Sequence, residues 1–251
     1  MCTNVAYKAW RDVLTVAASI SSKIVEAILS QQLTPESRLG ESELATLFNC
    51  SRTIVREAML DLSARGIVTV SPRRGWYLTK VDAEMARELY DARQIIEVGL
   101  LRHFAQKAQP LEPHLVLRLQ AHLAEQKASL EAGHVGRRSY LLGNFHVCLA
   151  ECLGNRLLAE KLRDFTALTT LFTMRHQSPS DALMSYEEHV SVVEALASGR
   201  LDRACDCMSD HLGTWDAKVH LAREVDPLAG LRRALTPPAF EIKSVVAEGK
   251  K

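Results

Sequence analysis

The feature that most constrains the fold is a change in hydrophobic pattern near residue 80. From Ala83 to about Val225, apolar residues recur at helical spacing, with hardly any strand-like alternation. The pattern is interrupted at residues 109–113, 133–136, 154–155, 177–180 and 199, which are rich in Gly, Pro, Asn or Ser. The sequence therefore predicts an all-helical domain over residues 81–228. Residues 229–251, which contain Pro237-Pro238, are expected to form a flexible tail.

The first 80 residues have a different pattern, in which short predicted helices are followed by short predicted strands. Helical spacing predicts helices over residues 20–29, 41–48 and 52–65, and Gly66 ends the third of them. Short β-branched and aromatic runs over residues 67–70 and 76–79 predict a hairpin. This order is that of a winged helix-turn-helix, whose third helix enters the DNA major groove. The predicted fold class is thus mainly α, with a winged helix-turn-helix over residues 1–80 followed by a helical bundle.

The formal net charge of +1 hides an uneven distribution. Residues 1–80 hold ten Lys and Arg against seven Asp and Glu, whereas residues 81–228 hold sixteen against twenty-one. The tail again has a surplus of three positive charges. The segment from Arg65 to Lys80 contains four basic residues and no acidic one. Phosphate affinity is therefore expected in the first domain.

Several other classes of protein are disfavoured by composition. No apolar run approaches the roughly 18 residues of a membrane helix, and Met1–Trp10 lacks the pattern of a signal peptide. The six cysteines have no CxxC spacing, which disfavours a disulfide scaffold or a zinc ribbon. We therefore expect a cytoplasmic protein without a membrane partner.

Candidate DNA contacts lie on the predicted third helix and at the hairpin tip. Because apolar residues occupy one face of that helix, Arg52 and Arg56 share the other face, with Ser51 and Thr53 at its N-terminal end. Arginines bind phosphates or guanine edges, and hydroxyl groups bind phosphates. The alternative is that these residues form an ordinary solvated helix face that does not contact DNA. The basic tip Arg73-Arg74-Gly75 favours DNA binding over it.

Three of the nine histidines lie on apolar helical stripes, whereas most of the others lie among polar residues. These three are His146, His189 and His211, on three different predicted helices. A buried imidazole needs a partner, because an unpaired polar group in a core costs about 1–3 kcal/mol. Each ring could form a hydrogen bond with a partner of its own within the core. Alternatively, the three could converge on one metal ion in the bundle.

Four stretches of the first domain occur in a specific order: Leu33-Thr-Pro-Glu-Ser-Arg-Leu39, Glu41-Ser-Glu-Leu-Ala45, Ser51-Arg-Thr-Ile-Val-Arg-Glu-Ala58 and Arg73-Arg-Gly75. With these stretches, residues 15–80 resemble the DNA-binding domain of GntR-type bacterial transcription regulators. The resemblance implies DNA-binding roles for Ser51, Arg52, Thr53, Arg56 and the wing residues. At position 42, where the family often has Arg, this chain has Ser42, so no contact is carried over there.

The helical region contains a second set of characteristic stretches: Asp91-Ala-Arg93-Gln-Ile-Ile-Glu97, Gly143-Asn-Phe-His146 with Gly154-Asn155, Glu188-His189, Ala195-Leu-Ala-Ser-Gly-Arg200 and Met208-Ser-Asp-His-Leu212. With these stretches, residues 83–225 resemble the FCD effector domain of the FadR subfamily. The resemblance implies an antiparallel helical bundle in which three histidines and an Asp hold a divalent metal, usually zinc or nickel, beneath a cavity for a small carboxylate. His146, His189 and His211 match the histidine positions.

The acidic metal ligand of the family is replaced here by Leu142, which cannot coordinate a metal. Three explanations stand: a three-histidine site completed by water or effector, a donor from elsewhere such as Glu97, or a polar cavity without metal. We favour the first, since three imidazoles with one open position bind zinc in other proteins. Arg93 matches the family's inward arginine, which would pair with an effector carboxylate; its alternative is a surface ion pair with Glu97. Arg93 and Glu97 are therefore expected at the effector site.

The leading hypothesis is a ligand-responsive transcriptional regulator, a repressor, that binds a palindromic operator as a homodimer. A metal-dependent enzyme built on the three histidines is the alternative. Such an enzyme needs a general base near the metal, and Glu188 is turned about 100° away from His189 on the same helix. A DNA-binding architectural protein whose bundle only dimerises is a third alternative. The basic wing favours the regulator over the enzyme.

Overall fold

The computed structural model describes residues 15–72, 74–107, 109–174 and 178–213. The described part of the chain consists of a head (residues 15–80) and a helical bundle (residues 83–213). The head contains α1 (Val16–Leu29), β1 (Arg38–Leu39), α2 (Glu41–Leu47), α3 (Arg52–Ala64), β2 (Val68–Ser71) and β3 (Gly75–Leu78). The bundle contains α4 (Ala83–Ala105), α5 (Pro113–Glu131), α6 (Val135–Cys152), α7 (Arg156–Thr173), α8 (Pro179–Ala197) and α9 (Leu201–Gly213). The predicted mainly α fold is confirmed, and the predicted tail over residues 229–251 lies outside the described residues.

Helix α3 begins and ends where its sequence signals indicate. The Ser51 side chain caps the helix by accepting a hydrogen bond from the Ile54 amide. Gly66 follows the helix with a φ of 74°, a left-handed conformation that favours glycine. The apolar face is buried against α1 and α2. It consists of Val55, Ala58, Met59 and Leu62.

The head has a third strand that the sequence did not indicate. The sheet order is β1-β3-β2, all antiparallel, and β1 pairs through Arg38 with Tyr77 and Leu39 with Trp76. A strand of two residues is too short to carry an alternating pattern, so only its pairing with β3 defines it. The predicted hairpin is confirmed, with both strands shifted by one residue.

The bundle follows the predicted interruptions of helical periodicity. Helices α5 to α6, α6 to α7 and α8 to α9 are joined by connections over residues 132–134, 153–155 and 198–200, and each pair packs together. Short connections between packed helices make the neighbours antiparallel. None of the described helices is long and apolar enough to cross a membrane.

The head and the bundle share a hydrophobic core, which the sequence did not indicate. Leu168, Leu171 and Phe172 of α7 belong to the same buried cluster as the core of the head. Arg65 at the end of α3 donates to Asp164 of α7 from Nε (3.1 Å) and Nη2 (2.6 Å). The Arg65 guanidinium is thus paired with a carboxylate of each domain, since it also donates to Asp61 of α3 at 2.9 Å.

Candidate functional sites

The four residues predicted on α3 lie at its exposed N-terminal end. Ser51, Arg52, Thr53 and Arg56 are all exposed, and the Arg52 and Arg56 side chains retain 65% and 59% of their accessible surface. Ser51 also caps the helix, so its Oγ atom accepts a bond from the Ile54 amide. The arrangement leaves two guanidinium groups available to an anionic surface.

A glutamate holds both arginines in place. Arg52 Nη2 lies 3.2 Å from Glu41 Oε2, and Arg56 donates to the same carboxylate from Nε (3.0 Å) and Nη2 (2.8 Å). Trp76 of β3 donates to Glu41 from Nε1 at 3.1 Å. Hydrogen bonds from Arg56 and Trp76 lower the pKa of Glu41 to about 2. Sequence reasoning missed this role, since Glu41 precedes its partners by eleven residues or more.

The wing, which is the hairpin formed by β2 and β3, is only partly described by the structure. Arg74 lies at the exposed tip, where its carbonyl accepts a hydrogen bond from Arg38 Nε at 3.3 Å. Gly75 adopts a φ of 95°, which turns the chain into β3. Arg73, the third predicted wing contact, lies outside the described residues. Ser42 is exposed on α2 and directly follows Glu41, the residue that pairs with Arg52 and Arg56.

The three predicted histidines converge within the bundle. His146 lies on α6, His189 on α8 and His211 on α9, and all three are buried. His211 Nε2 lies 3.3 Å from His189 Nε2 and 3.4 Å from His146 Nε2. One ligand atom from each ring falls within a single cluster of the size that a metal ion requires. The prediction that these rings meet is confirmed.

Each ring is oriented by an oxygen acceptor at its outer nitrogen. His146 Nδ1 lies 2.5 Å from Glu97 Oε2, His211 Nδ1 lies 2.6 Å from Glu188 Oε2, and His189 Nδ1 lies 3.0 Å from Gln126 Oε1. A neutral ring that places its proton at Nδ1, facing its oxygen acceptor, carries its lone pair on the inner Nε2 atom. In metal sites, a hydrogen bond of this kind from the outer ring nitrogen orients each metal-binding histidine.

Burial favours the neutral form of His146 and His189. Burial lowers the pKa of His146 to about 3, against the opposing effect of the Glu97 carboxylate. Burial, together with the nearby His211 and His146 rings, lowers the pKa of His189 well below its usual value. Imidazole binds metal only in the neutral form, so these shifts favour coordination at neutral pH.

Arg93 and Glu97 form a buried ion pair rather than the surface pair considered above. Arg93 Nε lies 3.0 Å from Glu97 Oε1, and both side chains are almost completely buried. Burial raises the pKa of Glu97, but His146 and Arg93 outweigh it and lower the pKa to about 2. Glu97 does not line the neighbouring cavity and is turned to the outer nitrogen of His146. Its contact with the effector and its alternative role as a fourth metal ligand stay predictions, and the observed contacts of Glu97 are those with Arg93 and His146.

A cavity of about 60 Å³ adjoins the histidines. Arg93 and Leu142 line it, so the leucine that replaces the family's acidic ligand faces the same space. Two buried polar atoms of the lining, Arg93 Nη2 and Thr166 Oγ1, have no hydrogen-bond partner among the described residues. Buried polar groups are normally satisfied, which makes this cavity a candidate ligand site. The whole lining comprises Tyr90, Arg93, Ser139, Leu142, Gly143, His146, Thr166, Thr169, Thr170, Thr173, Ser185, His189 and His211.

Several residues of this site were not found from the sequence. Gln126 donates to His122 Nδ1 at 3.0 Å, and His122 Nε2 in turn faces Asn144 Oδ1 at 3.3 Å, which orients the Gln126 amide oxygen toward His189. Glu188, considered above as a general base, instead accepts the Nδ1 proton of His211. In the sequence, Gln126 lies one helical turn from His122, which by itself indicates little about its role. Only the packing of α5 on α8 brings Gln126 to His189.

Comparison with known proteins supports the same assignment of the two domains. Residues 16–78 match the family described as bacterial regulatory proteins, gntR family, and residues 88–214 match the FCD domain. The chain is 26% identical over 195 residues to the HTH-type transcriptional repressor RspR of Escherichia coli, covering 76% of this chain and 83% of that protein. It is 28% identical over 209 residues to the HTH-type transcriptional regulator LutR of Bacillus subtilis, covering 74% and 92%.

Among solved structures, E. coli McbR/YncC has the same fold. The TM-score is 0.74 at 17% sequence identity, over 84% of this chain and all of that one. A transcriptional regulator from Rhodococcus sp. RHA1 gives a TM-score of 0.71 at 21% identity, over 82% and 98%. The similar proteins are named regulators and not enzymes, which overturns the metal-dependent enzyme alternative. The chain belongs to the GntR family of bacterial transcriptional regulators and carries a C-terminal FCD effector-binding domain.

Proposed function

We propose that this regulator is a metal-containing repressor that binds a palindromic operator as a homodimer and senses a small carboxylate in its bundle. The observation that carries the proposal is the convergence of three Nε2 atoms beside a cavity that Arg93 lines. Arg93 Nη2 has no hydrogen-bond partner among the described residues. DNA binding by the head follows from the family. The repressor assignment is supported by one relative, RspR, that is named a repressor.

The metal proposal rests on the fit of the donor atoms. Three zinc-bound imidazole nitrogens at about 2.0–2.1 Å from a tetrahedral ion lie about 3.3–3.4 Å apart. The Nε2 separations of 3.3 and 3.4 Å agree with that geometry. Without a cation, three lone pairs would face one another in a buried space, which is electrostatically unfavourable. His146, His189 and His211 would therefore hold zinc or nickel, and the metal would supply a Lewis-acid contact for a ligand oxygen.

The carboxylate proposal rests on charge. Glu97 neutralises Arg93 from one side, and Arg93, which lines the cavity, has no hydrogen-bond partner at Nη2 within the described part of the chain. A carboxylate binds arginine through short charge-assisted hydrogen bonds. Leu142 supplies no acidic ligand, so a metal in this site would keep a coordination position open to such an effector.

The homodimer proposal rests on the geometry of operator recognition. A helix-turn-helix reads about half a helical turn of DNA, and two heads related by a two-fold axis read a palindrome whose half-sites are about 10 base pairs apart. Effector binding that changes the coupling by about 1–3 kcal/mol would change operator affinity by about 5- to 150-fold. Sedimentation of the protein alone and on DNA measures the stoichiometry, and one chain per operator would contradict the dimer.

The DNA contacts are tested on duplexes selected from a random pool by the wild-type protein. Arg52→Ala or Arg56→Ala is expected to cost about 1–3 kcal/mol of binding free energy, measured by gel-shift titration. Arg203→Ala is the matched control, because Arg203 is exposed on α9, away from the head. Unchanged affinity in both α3 variants would contradict the proposed surface.

The metal and effector are tested together. Elemental analysis of purified protein is expected to find about one zinc or nickel per chain in wild type and in the exposed control His114→Ala, and a loss in His189→Ala. A thermal-shift screen of small carboxylic acids, with and without chelator, is expected to find a stabilising acid that also releases the operator. Absence of metal, with no stabilising acid, would contradict the site while leaving DNA binding intact. An acid that strengthens operator binding would contradict the repressor assignment.

A further inference from the structure

The end of α1 in the head lies directly against α6 of the bundle. Gln31, which follows α1, has a φ of 55°, a left-handed conformation in which glycine is the usual residue. Its side chain bonds the bundle, because Gln31 Nε2 donates to Ser139 Oγ on α6 at 3.0 Å. In the same contact, a Cβ atom at Gly136 would lie 2.7 Å from the Ser30 carbonyl oxygen. Only a glycine therefore allows the two backbones to approach this closely.

The α6 residues of this contact lie on one face of the helix. Gly136, Ser139 and Gly143 are spaced i, i+3 and i+7. A Cβ atom at Gly143 would lie 3.3 Å from Leu29 Cδ2, closer than ordinary van der Waals contact, so this glycine also makes room for a buried residue of α1. These three residues form the docking face of α6, on which the end of α1 rests.

A second attachment of the head lies at α3. Arg65 donates to Asp164 of α7 from Nη2 at 2.6 Å, and Leu168 and Leu171 of the same helix lie in the core of the head. Helices α6 and α7 pack against each other, so two helices of the head are attached to one packed pair. Attachment at two separate elements restrains the head from rotating about either contact. The head is therefore fixed on the bundle and not tethered only by the connection over residues 79–82.

On the basis of the proposed homodimer, we propose that this attachment sets the spacing between the two half-sites of the operator. One additional base pair moves a half-site by about 3.4 Å along the duplex and turns it by about 35° around the axis. A head held only by a flexible connection follows such a change, whereas a head fixed on its bundle does not. Gly136, Ser139 and Asp164 are thus specificity-determining residues for DNA, although they lie in the bundle and not on α3.

The test uses operators selected from a random pool by the wild-type protein and then resynthesised with one central base pair added or removed. We expect the wild-type protein to bind both altered duplexes at least about tenfold more weakly than the selected one in gel-shift titrations. The double variant Gly136→Ala/Asp164→Asn should reduce this ratio to within about threefold, because the added Cβ displaces α1 and the charge pair is lost. It should also bind the altered duplexes more tightly than the wild-type protein does, a gain that partial unfolding cannot produce.

The control is a glycine replaced in the same way without a clash. An added Cβ at Gly99, an exposed position on α4, meets no atom of another residue within 4 Å, so Gly99→Ala should keep the full tenfold preference. Gln31→Ala combined with Asp164→Asn removes both polar attachments without steric conflict and should also reduce the ratio to within about threefold. Circular dichroism establishes the folding of each variant, and this second double variant decides the test if the first does not fold.

Two results would overturn this inference alone. The first is a wild-type protein that binds all three duplexes within about threefold, and the second is a folded double variant that keeps the tenfold preference. Both results, obtained with two chains on each operator, leave the proposed homodimer intact. One chain per operator in sedimentation would overturn the homodimer and this inference with it.

Discussion

Two glutamates organise the two functional regions in opposite environments. In the head, Glu41 pairs with Arg52 and Arg56, whose side chains are largely exposed. In the bundle, Glu97 pairs with Arg93 and contacts His146, with all three side chains buried. Both carboxyl groups have their pKa lowered to about 2. The same local chemistry thus serves a surface and a core.

The difference in burial decides what each cluster can do. Exposed ion pairs contribute about 0–1 kcal/mol, so DNA phosphates can compete with Glu41 for the arginines at little cost. Removing one partner of a buried pair leaves an uncompensated charge and costs about 3–5 kcal/mol. The head cluster is therefore suited to exchanging partners, and the bundle cluster to holding Arg93 and His146 in one orientation.

The largest effect that tests this comparison is expected from Glu97→Gln. The change keeps the volume but leaves the buried Arg93 guanidinium without its counter-charge, so the free energy of unfolding in urea should fall by about 3–5 kcal/mol. Because the amide keeps only one acceptor oxygen for two donors, Arg93 Nε and His146 Nδ1, metal binding should also weaken about 10- to 100-fold. Glu194→Gln, at an exposed position on α8, is the matched control. A loss below about 1 kcal/mol would show that losing a partner costs no more in the buried Glu97 cluster than in the exposed Glu41 cluster.

An intermediate effect is expected at the contact between the domains. Arg65 is partly exposed and Asp164 is buried, with side-chain exposures of 22% and 9%. Asp164→Asn should lower the free energy of unfolding by about 1.5–3 kcal/mol, because a hydrogen-bonded charge pair is broken. Asp61→Asn removes the exposed partner of the same arginine and should cost about 1 kcal/mol or less. Equal losses in the two variants would contradict the dependence on burial.

The smallest effect is expected from the acid titration of Glu41. Its pKa falls from an ordinary value of 4.5 to about 2 on folding, so its contribution to stability is present above pH 4.5 and is lost as the pH falls toward 2. In Glu41→Gln, the free energy of unfolding should therefore depend less steeply on pH in that window. Glu43→Gln on the same helix is the control. An identical slope in wild type and Glu41→Gln would show that the carboxylate is not held by its partners.

The parts of the site that could be predicted are those that a repeating pattern encodes. The positions of Arg52 and Arg56 on the exposed face of α3 follow from the apolar spacing of that helix, as does the inward direction of the three histidines. The role of Glu97 could not be predicted. Its position one turn from Arg93 indicated an ion pair, but not that the pair is buried or that the second oxygen meets His146 on another helix.

The sequence by itself determined the two-domain family, the approximate positions of the helices and the faces that they bury, because periodicity, caps and turn residues act over a few neighbouring positions. The tertiary structure alone decided which atoms meet. It paired Arg65 with Asp164 across the domains, brought the three Nε2 atoms together, and left Arg93 Nη2 and Thr166 Oγ1 without hydrogen-bond partners among the described residues. These contacts depend on the packing of helices distant in sequence, where a shift of about 1 Å makes or breaks a hydrogen bond.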